Sequence, residues 1–450
     1  MDYFINLLDY LLLPFYLLII YIIAFIFRER RYPVGHPWRK YFMPGLSLKI
    51  GGAIFIGLIY QYYYGGGDTS EYYRHAQIVN DAFDESTGKW LSLVFRVPSP
   101  YDSEYYEYTR QIMAWYESPA EYTIVAITAF INILTFNTYL PTAVVFGVIS
   151  FTGMWALFRT FALKYPAYLK FVAICTLYIP STIMWGSGIF KDTICMFGLG
   201  WMTYGAFRLL IHRDFTTQNI VLTIVSFYLV AVIKVYILLA FIPALALWIL
   251  FTYSHNIANS SVRLAVKTFF IIFSVGGLVY FSSAFSKSLG RYSLQEVAQT
   301  STITRDYIKG VSGDDGSGYT LGDFEPSIAG MLKKFPLAVN VSLFRPYIWE
   351  TRKPIQLLNA VEAMLFMWVT IKVVVSVGLG RVWRTIKADP TIQFCLIFAI
   401  VFAFAVGISS YNFGALSRYR IPCLPFYGLA LVLVYYKNKP ITSNIFSFRS

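Results

Sequence analysis

The sequence predicts an all-α, polytopic membrane fold, and three observations predict it. Of the 450 residues, 57% are apolar and 14% charged, against about 45–50% and about 25% in soluble domains. Apolar runs of 16–22 residues recur along most of the chain, each near the roughly 20 residues that carry a helix across a bilayer. Aromatic side chains reach 19%, in keeping with the rings that gather at membrane interfaces. A soluble cytosolic enzyme is excluded. A net charge of +13 would suggest nucleic acid in a soluble protein, but here it reads first as Lys/Arg anchoring of cytoplasmic loops, and no nucleic-acid partner is expected. Cys175, Cys195, Cys395 and Cys423 all sit inside apolar runs without C-x-x-C spacing. They are expected to be small core residues, outside any disulfide frame or metal site.

About eleven spans are expected. The first, residues 5–27, is too long for a cleavable signal and no basic segment precedes it, so it reads as a retained helix. Arg28, Arg30, Arg31, Arg39 and Lys40 follow at once, which places residues 28–41 in the cytoplasm and Met1 outside. The second span, 42–62, returns to the outer face. Residues 63–138 hold ten of the 24 acidic residues and only four Lys/Arg, a composition suited to an outer loop. Within that loop 122–136 is apolar but short, and is expected to be an interfacial helix that does not cross. Later spans are expected at 139–158, 167–184, 192–211, 217–233, 235–252, 266–285, 356–377, 392–409 and 421–436. That parity puts His212/Arg213, Arg263/Lys267, Arg381/Arg384/Lys387 and Lys437/Lys439 inside; counting 122–136 as a crossing would put them all outside. The chain thus divides into two N-terminal spans (1–62), a first outer loop (63–138), spans three to eight (139–285), a second outer loop (286–355) with a Gly/Ser/Asp-rich stretch at 311–318, and three last spans with a cytoplasmic tail (356–450).

Chemistry is expected on the outer face. Gly65-Gly66-Gly67 lets the backbone turn sharply off the second span, and Asp68, Glu71, Tyr72 and His75 then fall on one face of any helix starting there. Such a set could act as a general base or hold a divalent cation through Asp68. Asp68 with Glu71 is equally a D-x-x-E capping box, a purely structural pattern. Lys191 and Asp192 stand where hydropathy rises steeply on both sides, and Lys234 is the only charge in the apolar stretch 217–252. Ionisable groups at such depth are functional suspects, Lys191 as a phosphate ligand. The structural alternatives are a snorkelling Lys191, Asp192 as a helix cap, and Lys234 in a tight turn at the outer surface. Arg418 and Arg420 lie outside against the charge trend, and Arg345 precedes the span at 356; arginine grips phosphate oxygens with two donors at once. A basic rim on lipid headgroups is the alternative. Ten tyrosines fall between residues 63 and 122 among carboxylates, a composition that suits either a sugar-binding cleft or packing of the loop.

This constellation resembles the GT-C superfamily of membrane glycosyltransferases. The likeness lies in an outer loop that opens with an acid directly after a membrane helix (Gly67-Asp68), an interfacial helix leading into the next span (122–136, then 139–158), and basic residues at later outer helix ends. Pro180–Asp192 and Phe413–Pro422 also look like segments of bacterial envelope-polysaccharide proteins of this type. The resemblance implies an inner-membrane enzyme, and the Lys/Arg pattern puts its N-terminus in the periplasm and its C-terminus in the cytoplasm. It would move a sugar or glycan from a polyprenyl-phosphate or -diphosphate carrier to an envelope glycan, lipid or protein acceptor. It gives Asp68 the role of base or metal ligand and Lys191, Arg418 and Arg420 the carrier phosphate; from the residues themselves, Glu71 and His75 are expected to orient Asp68, and Asp192, Lys234 and Arg345 are further binding candidates. The chain departs from that pattern in its additional first helix and in lacking a second acid next to Asp68. Those departures leave open an O-antigen-polymerase-like or ligase-like enzyme. In a different, non-enzymatic class, a glycolipid transporter would show ionisable residues near the midplane and two related halves with broken helices in matching places, neither of which the sequence displays, and a scaffold subunit would show no convergence of the candidates.

Overall fold

The structure, a computed structural model, describes residues 3–254 and 318–442 except 323, 324, 326 and 352, together with 259, 261, 262, 265, 268, 269 and 445. The span expected at 266–285 lies outside the described residues but for 268 and 269, as do residues 286–317 of the second outer loop. Every regular element among the described residues is helical.

In chain order, α1 is Leu7–Arg31 and α2 is Arg39–Ile59, which runs on as one wide π-helical turn over Tyr60–Tyr64. Gly65, Gly66 and Gly67, all at positive φ, then turn the chain into α3, Asp68–Glu85. Next come α4 (Thr87–Val94), α5 (Pro119–Leu134) and α6 (Tyr139–Lys164). The short α7 (Leu169–Leu177) and α8 (Pro180–Trp185) precede α9 (Lys191–Ala206) and the long α10 (Thr217–Ser254). After the undescribed stretch follow α11 (Ile328–Lys333), α12 (Phe335–Phe344), α13 (Pro354–Val377), α14 (Leu379–Ala388), α15 (Pro390–Ser409), α16 (Phe413–Tyr419) and α17 (Leu424–Asn438).

Seven helices among the described residues are long and apolar enough to cross a bilayer, or eight if α16 and α17, bent by 67°, count as one span. Three physical differences separate this from the expected eleven. Residues 167–184 do not form one helix: the chain breaks at Tyr178-Ile179, before Pro180 restarts it. Residues 217–254 stand as one of the seven, yet the non-helical Lys234 (φ −147°, ψ 72°) separates two helices there, at the point where the expected spans 217–233 and 235–252 meet. The third is the undescribed 266–285. A helix does form over the expected segment 122–136 as α5, whose 16 residues cover only about 24 Å.

The chain divides into two compact units. The first holds residues 1–163, 182–208 and 214–234, and its helices meet through glycine. Lipid tails are as apolar as leucine, so helices in a bilayer associate by close backbone packing rather than by hydrophobic burial. A Cβ on Gly200 of α9 would stand 1.9 Å from the carbonyl oxygen of Gly153 in α6, and one on Gly52 of α2 would stand 2.4 Å from that of Ile183. Gly200→Leu is therefore expected to force α6 and α9 apart at a cost above the roughly 1–3 kcal/mol of ordinary overpacking. A lower melting temperature and aggregation of the detergent-purified chain would register it; an unchanged melting temperature would contradict the packing. The start of the chain is pinned to this unit by two buried polar groups. Gln61 accepts the N–H groups of Phe4 and Ile5, and Asp9, fully buried in α1, accepts the N–H of Leu140 at 2.7 Å. A carboxylate inside an apolar helix is thereby satisfied as a cap for α6.

The second unit holds residues 164–181, 209–213 and 235–450. Its described core is a stack of rings from α10, α15 and α17: Trp248 lies parallel to Phe394 at 4.6 Å, and Phe241, Phe398 and Phe426 meet edge to face. The four cysteines are buried and unbridged, as expected of core residues.

Candidate functional site

The sequence places its leading candidate, Asp68, at a helix start, and the local backbone decides what that carboxylate is for. Gly67 is the N-cap of α3, and the side chain of Ser70 closes the cap by accepting the Gly67 N–H at 3.0 Å and donating to the Gly67 carbonyl at 2.8 Å. The D-x-x-E capping box is thus corrected. Asp68 is the first residue inside the helix, and its exposed side chain is not the one that closes the cap.

One turn on, the expected shared face exists. Glu71 Oε2 lies 3.8 Å from His75 Nε2, and Glu71 Oε1 lies 3.5 Å from the Arg74 guanidinium. His75 and Tyr72 both set their rings edge-on to Trp115, at 4.6 and 4.8 Å. Burial lowers the His75 pKa from its ordinary value, outweighing the Glu71 carboxylate that raises it, so the imidazole is neutral at neutral pH. Its Nδ1 is buried without a hydrogen-bond partner. The arrangement can hold a neutral imidazole against a carboxylate, the pairing that general-base chemistry uses. Among the described residues no three His, Cys, Asp or Glu side chains come together as a metal site.

The tyrosines of the loop mostly pack it. Tyr73, Tyr116 and Tyr122 donate to the backbone carbonyls of Asn137, Pro98 and Leu93, and all three are buried. Tyr63, Tyr64, Tyr101 and Tyr106 remain exposed.

Lys191 neither snorkels nor stands open. Its ammonium is 2.6 Å from Glu121 Oε1 in the first turn of α5, both side chains about four-fifths buried. Burial raises the Glu121 pKa, yet Lys191 and Ser118 together hold the carboxyl below its usual range. Asp192 does not cap α9, whose N-cap is Phe190. It is buried one residue further in and paired with Lys234 at 2.5 Å. Lys234, for which a tight outer turn was the structural alternative, stands at the break within α10 and is 5% accessible.

Sequence reasoning passed over Lys49. It lies midway along α2, is 2% accessible, and donates to the carbonyls of Thr182 and Gly186, each at 2.8 Å, where the backbone leaves α8. Ser150 donates to the same Gly186 carbonyl at 2.7 Å. The open C-terminal carbonyls of a short helix are a negative dipole end that an ammonium satisfies. The signal was present: a lysine inside an apolar run is a suspect on the same rule that singled out Lys191.

In the second unit, Arg420 is fully buried. It donates to the carbonyls of Ser342, Arg345 and Asn359 at 3.3, 2.8 and 3.3 Å and lies 3.6 Å from Glu362. Glu362, also missed, accepts the Ser181 N–H at 2.7 Å. Arg345 pairs with Glu350 through two donors and lies beside the rings of Phe413 and Tyr319 at 5.2 and 5.8 Å. Arg418 stands half-buried in the last turn of α16. Most cations expected to meet a phosphate thus have a carboxylate partner of their own chain. No family model, no curated protein and no solved structure matches the chain.

Proposed function

We propose that this membrane protein is a glycosyltransferase that uses a polyprenyl-phosphate or -diphosphate sugar donor and an envelope acceptor at the outer face of the bacterial inner membrane. The observation that supports it most is Asp68: an exposed carboxylate at the first turn of α3, directly beyond a membrane helix, whose cap is closed by Ser70. In this reading Asp68 removes the acceptor proton as general base, and Glu71 and His75 position it. Lys191, in the same compact unit, exchanges Glu121 for the carrier phosphate and stabilises the charge that grows on the leaving group. A divalent cation at Asp68 is the variant of this reading in which the carboxylate positions a metal.

Asp68→Asn, in a chain that inserts at the parent level, is expected to cut product formation by about 10²–10⁴-fold, the usual contribution of a positioned base. Lipid-linked sugars and finished envelope glycans extracted from cells are the readout. Accumulation of the carrier-linked donor supports the assignment, and undiminished glycan output overturns it.

A second reading has its own observation. Lys49, whose ammonium meets the carbonyls at the end of the short α8, and the Asp192–Lys234 pair at a non-helical residue are features that secondary transporters use: discontinuous helices and buried charge. A transporter leaves lipid-linked sugar on the inner leaflet when deleted, whereas the transferase leaves it on the outer one.

A further inference from the structure

A cavity of about 390 Å³ opens in the second unit, lined by Arg381, Arg384, Thr385 and Ala388 of α14 and by Lys437 and Asn438 at the end of α17. The function proposed above makes no use of it.

The surroundings say where it lies. Helix α14 joins two candidate spans, α13 and α15, so it sits at one membrane surface. Gly378, at φ +83°, makes the turn off α13, and Asp389-Pro390 starts α15. At 100° per residue, Leu379, Val382, Trp383 and Ile386 fall on one side of α14, and Arg381, Arg384, Thr385 and Ala388 on the other. Leu379 and Trp383 are 72% and 58% accessible, as expected of a helix that lies flat with its apolar side in the acyl boundary. The cavity is on the opposite, basic side.

Its walls are built. Asn438 Nδ2 donates to Thr385 Oγ1 at 2.8 Å, tying α17 to α14. Lys437 pairs with Asp389, a buried carboxylate that also accepts the Tyr165 hydroxyl and caps α15 through the Thr391 N–H. Burial raises the Asp389 pKa, but Lys437 and Tyr165 hold it below the usual range, so that carboxylate is charged at neutral pH. Arg381 and Arg384, three residues apart and both exposed, have no carboxylate within ion-pair reach among the described residues. The lining carries three cations, and the buried Asp389 carboxylate stands behind one of them.

We propose that this cavity binds the phosphate headgroup of an anionic phospholipid of the bilayer the chain spans. Arg381 and Arg384 grip the phosphate oxygens, and the acyl chains run past the apolar side of α14. Two guanidinium forks one helical turn apart suit a phosphate diester, and the flat helix sets them at headgroup depth.

The test uses the full chain purified in neutral detergent and titrated with phosphatidylglycerol, phosphatidylcholine or inorganic phosphate, bound lipid being counted by native mass spectrometry. Phosphatidylglycerol is expected to bind at least tenfold more tightly than phosphatidylcholine. Each arginine near a membrane surface is worth about fivefold, so R381Q/R384Q is expected to lower phosphatidylglycerol affinity about twentyfold and leave phosphatidylcholine unchanged. K387Q, whose ammonium lies over Trp383 and outside the cavity, is expected to lose less than twofold. Equal affinity for the two lipids, an unchanged double variant, or a K387Q loss as large as that of the double variant overturns the site. So does displacement of phosphatidylglycerol by an equal concentration of inorganic phosphate, which would make it a pocket for a soluble anion. If the double variant does not insert, the single variants decide: a loss of about fivefold in each supports the site, and no loss in either overturns it.

Discussion

Lys234→Met is expected to destabilise the chain by about 3–5 kcal/mol, the usual cost of leaving one partner of a buried ion pair uncompensated. Asp192 is 1% accessible and Lys234 5%, so the orphaned carboxylate has no route to water without unwinding the start of α9. Asp192→Asn/Lys234→Met removes both charges together, and is expected to recover most of the loss, because replacing a whole buried pair by neutral groups is often close to neutral. Thermal unfolding of the parent, both single variants and the double variant in one detergent gives the cycle. A double variant no more stable than the worse single variant would show that the two residues do not act as a pair. The same double variant separates the functional readings. As a glycosyltransferase with its chemistry at Asp68, it keeps its glycan output once it folds. A carrier that moves an anionic lipid past this pair loses its output while folding normally.

That experiment matters because hydropathy hides such residues. A single lysine among some twenty apolar neighbours barely changes a window average, so Lys49 vanished into the expected span 42–62. Its partners, the carbonyls of Thr182 and Gly186, lie more than 130 residues away. The positions of long apolar helices were legible, since length and composition alone decide them, and so was the glycine turn before Asp68. What a charged side chain would pair with was not legible. Lys191, Lys234 and Arg345 each found a carboxylate whose approach depends on how helices cross, and crossing geometry is set by tight glycine contacts such as Gly200 on Gly153 that no periodicity announces. The capping box failed for a more local reason: Ser70 reaches the Gly67 backbone on both sides, N–H and carbonyl, and so fills the role that the D-x-x-E spacing assigned to Asp68.

Arg420→Met is the sharpest test of an arginine that sequence reasoning aimed at a donor phosphate. In the structure its guanidinium is 0% accessible and supplies donors to three backbone carbonyls besides facing Glu362. Methionine fills similar volume but leaves those carbonyls and the Glu362 carboxylate without their cation, at an expected cost of about 3–5 kcal/mol. Arg420→Lys is expected to fall little short of that, since one compact ammonium cannot span carbonyls from residues 342, 345 and 359 as a planar fork does. Glu362→Gln is expected to be milder. Its amide oxygen still accepts the Ser181 N–H, and Arg420 keeps its carbonyls. Melting temperatures of the full chain, measured beside glycan output per folded molecule, decide between the roles. A steep fall in stability with output per folded molecule preserved makes Arg420 the strut that holds the bend between α16 and α17. Unchanged stability with lost output would return it to the phosphate, and would require the guanidinium to swing out of the contacts that now enclose it.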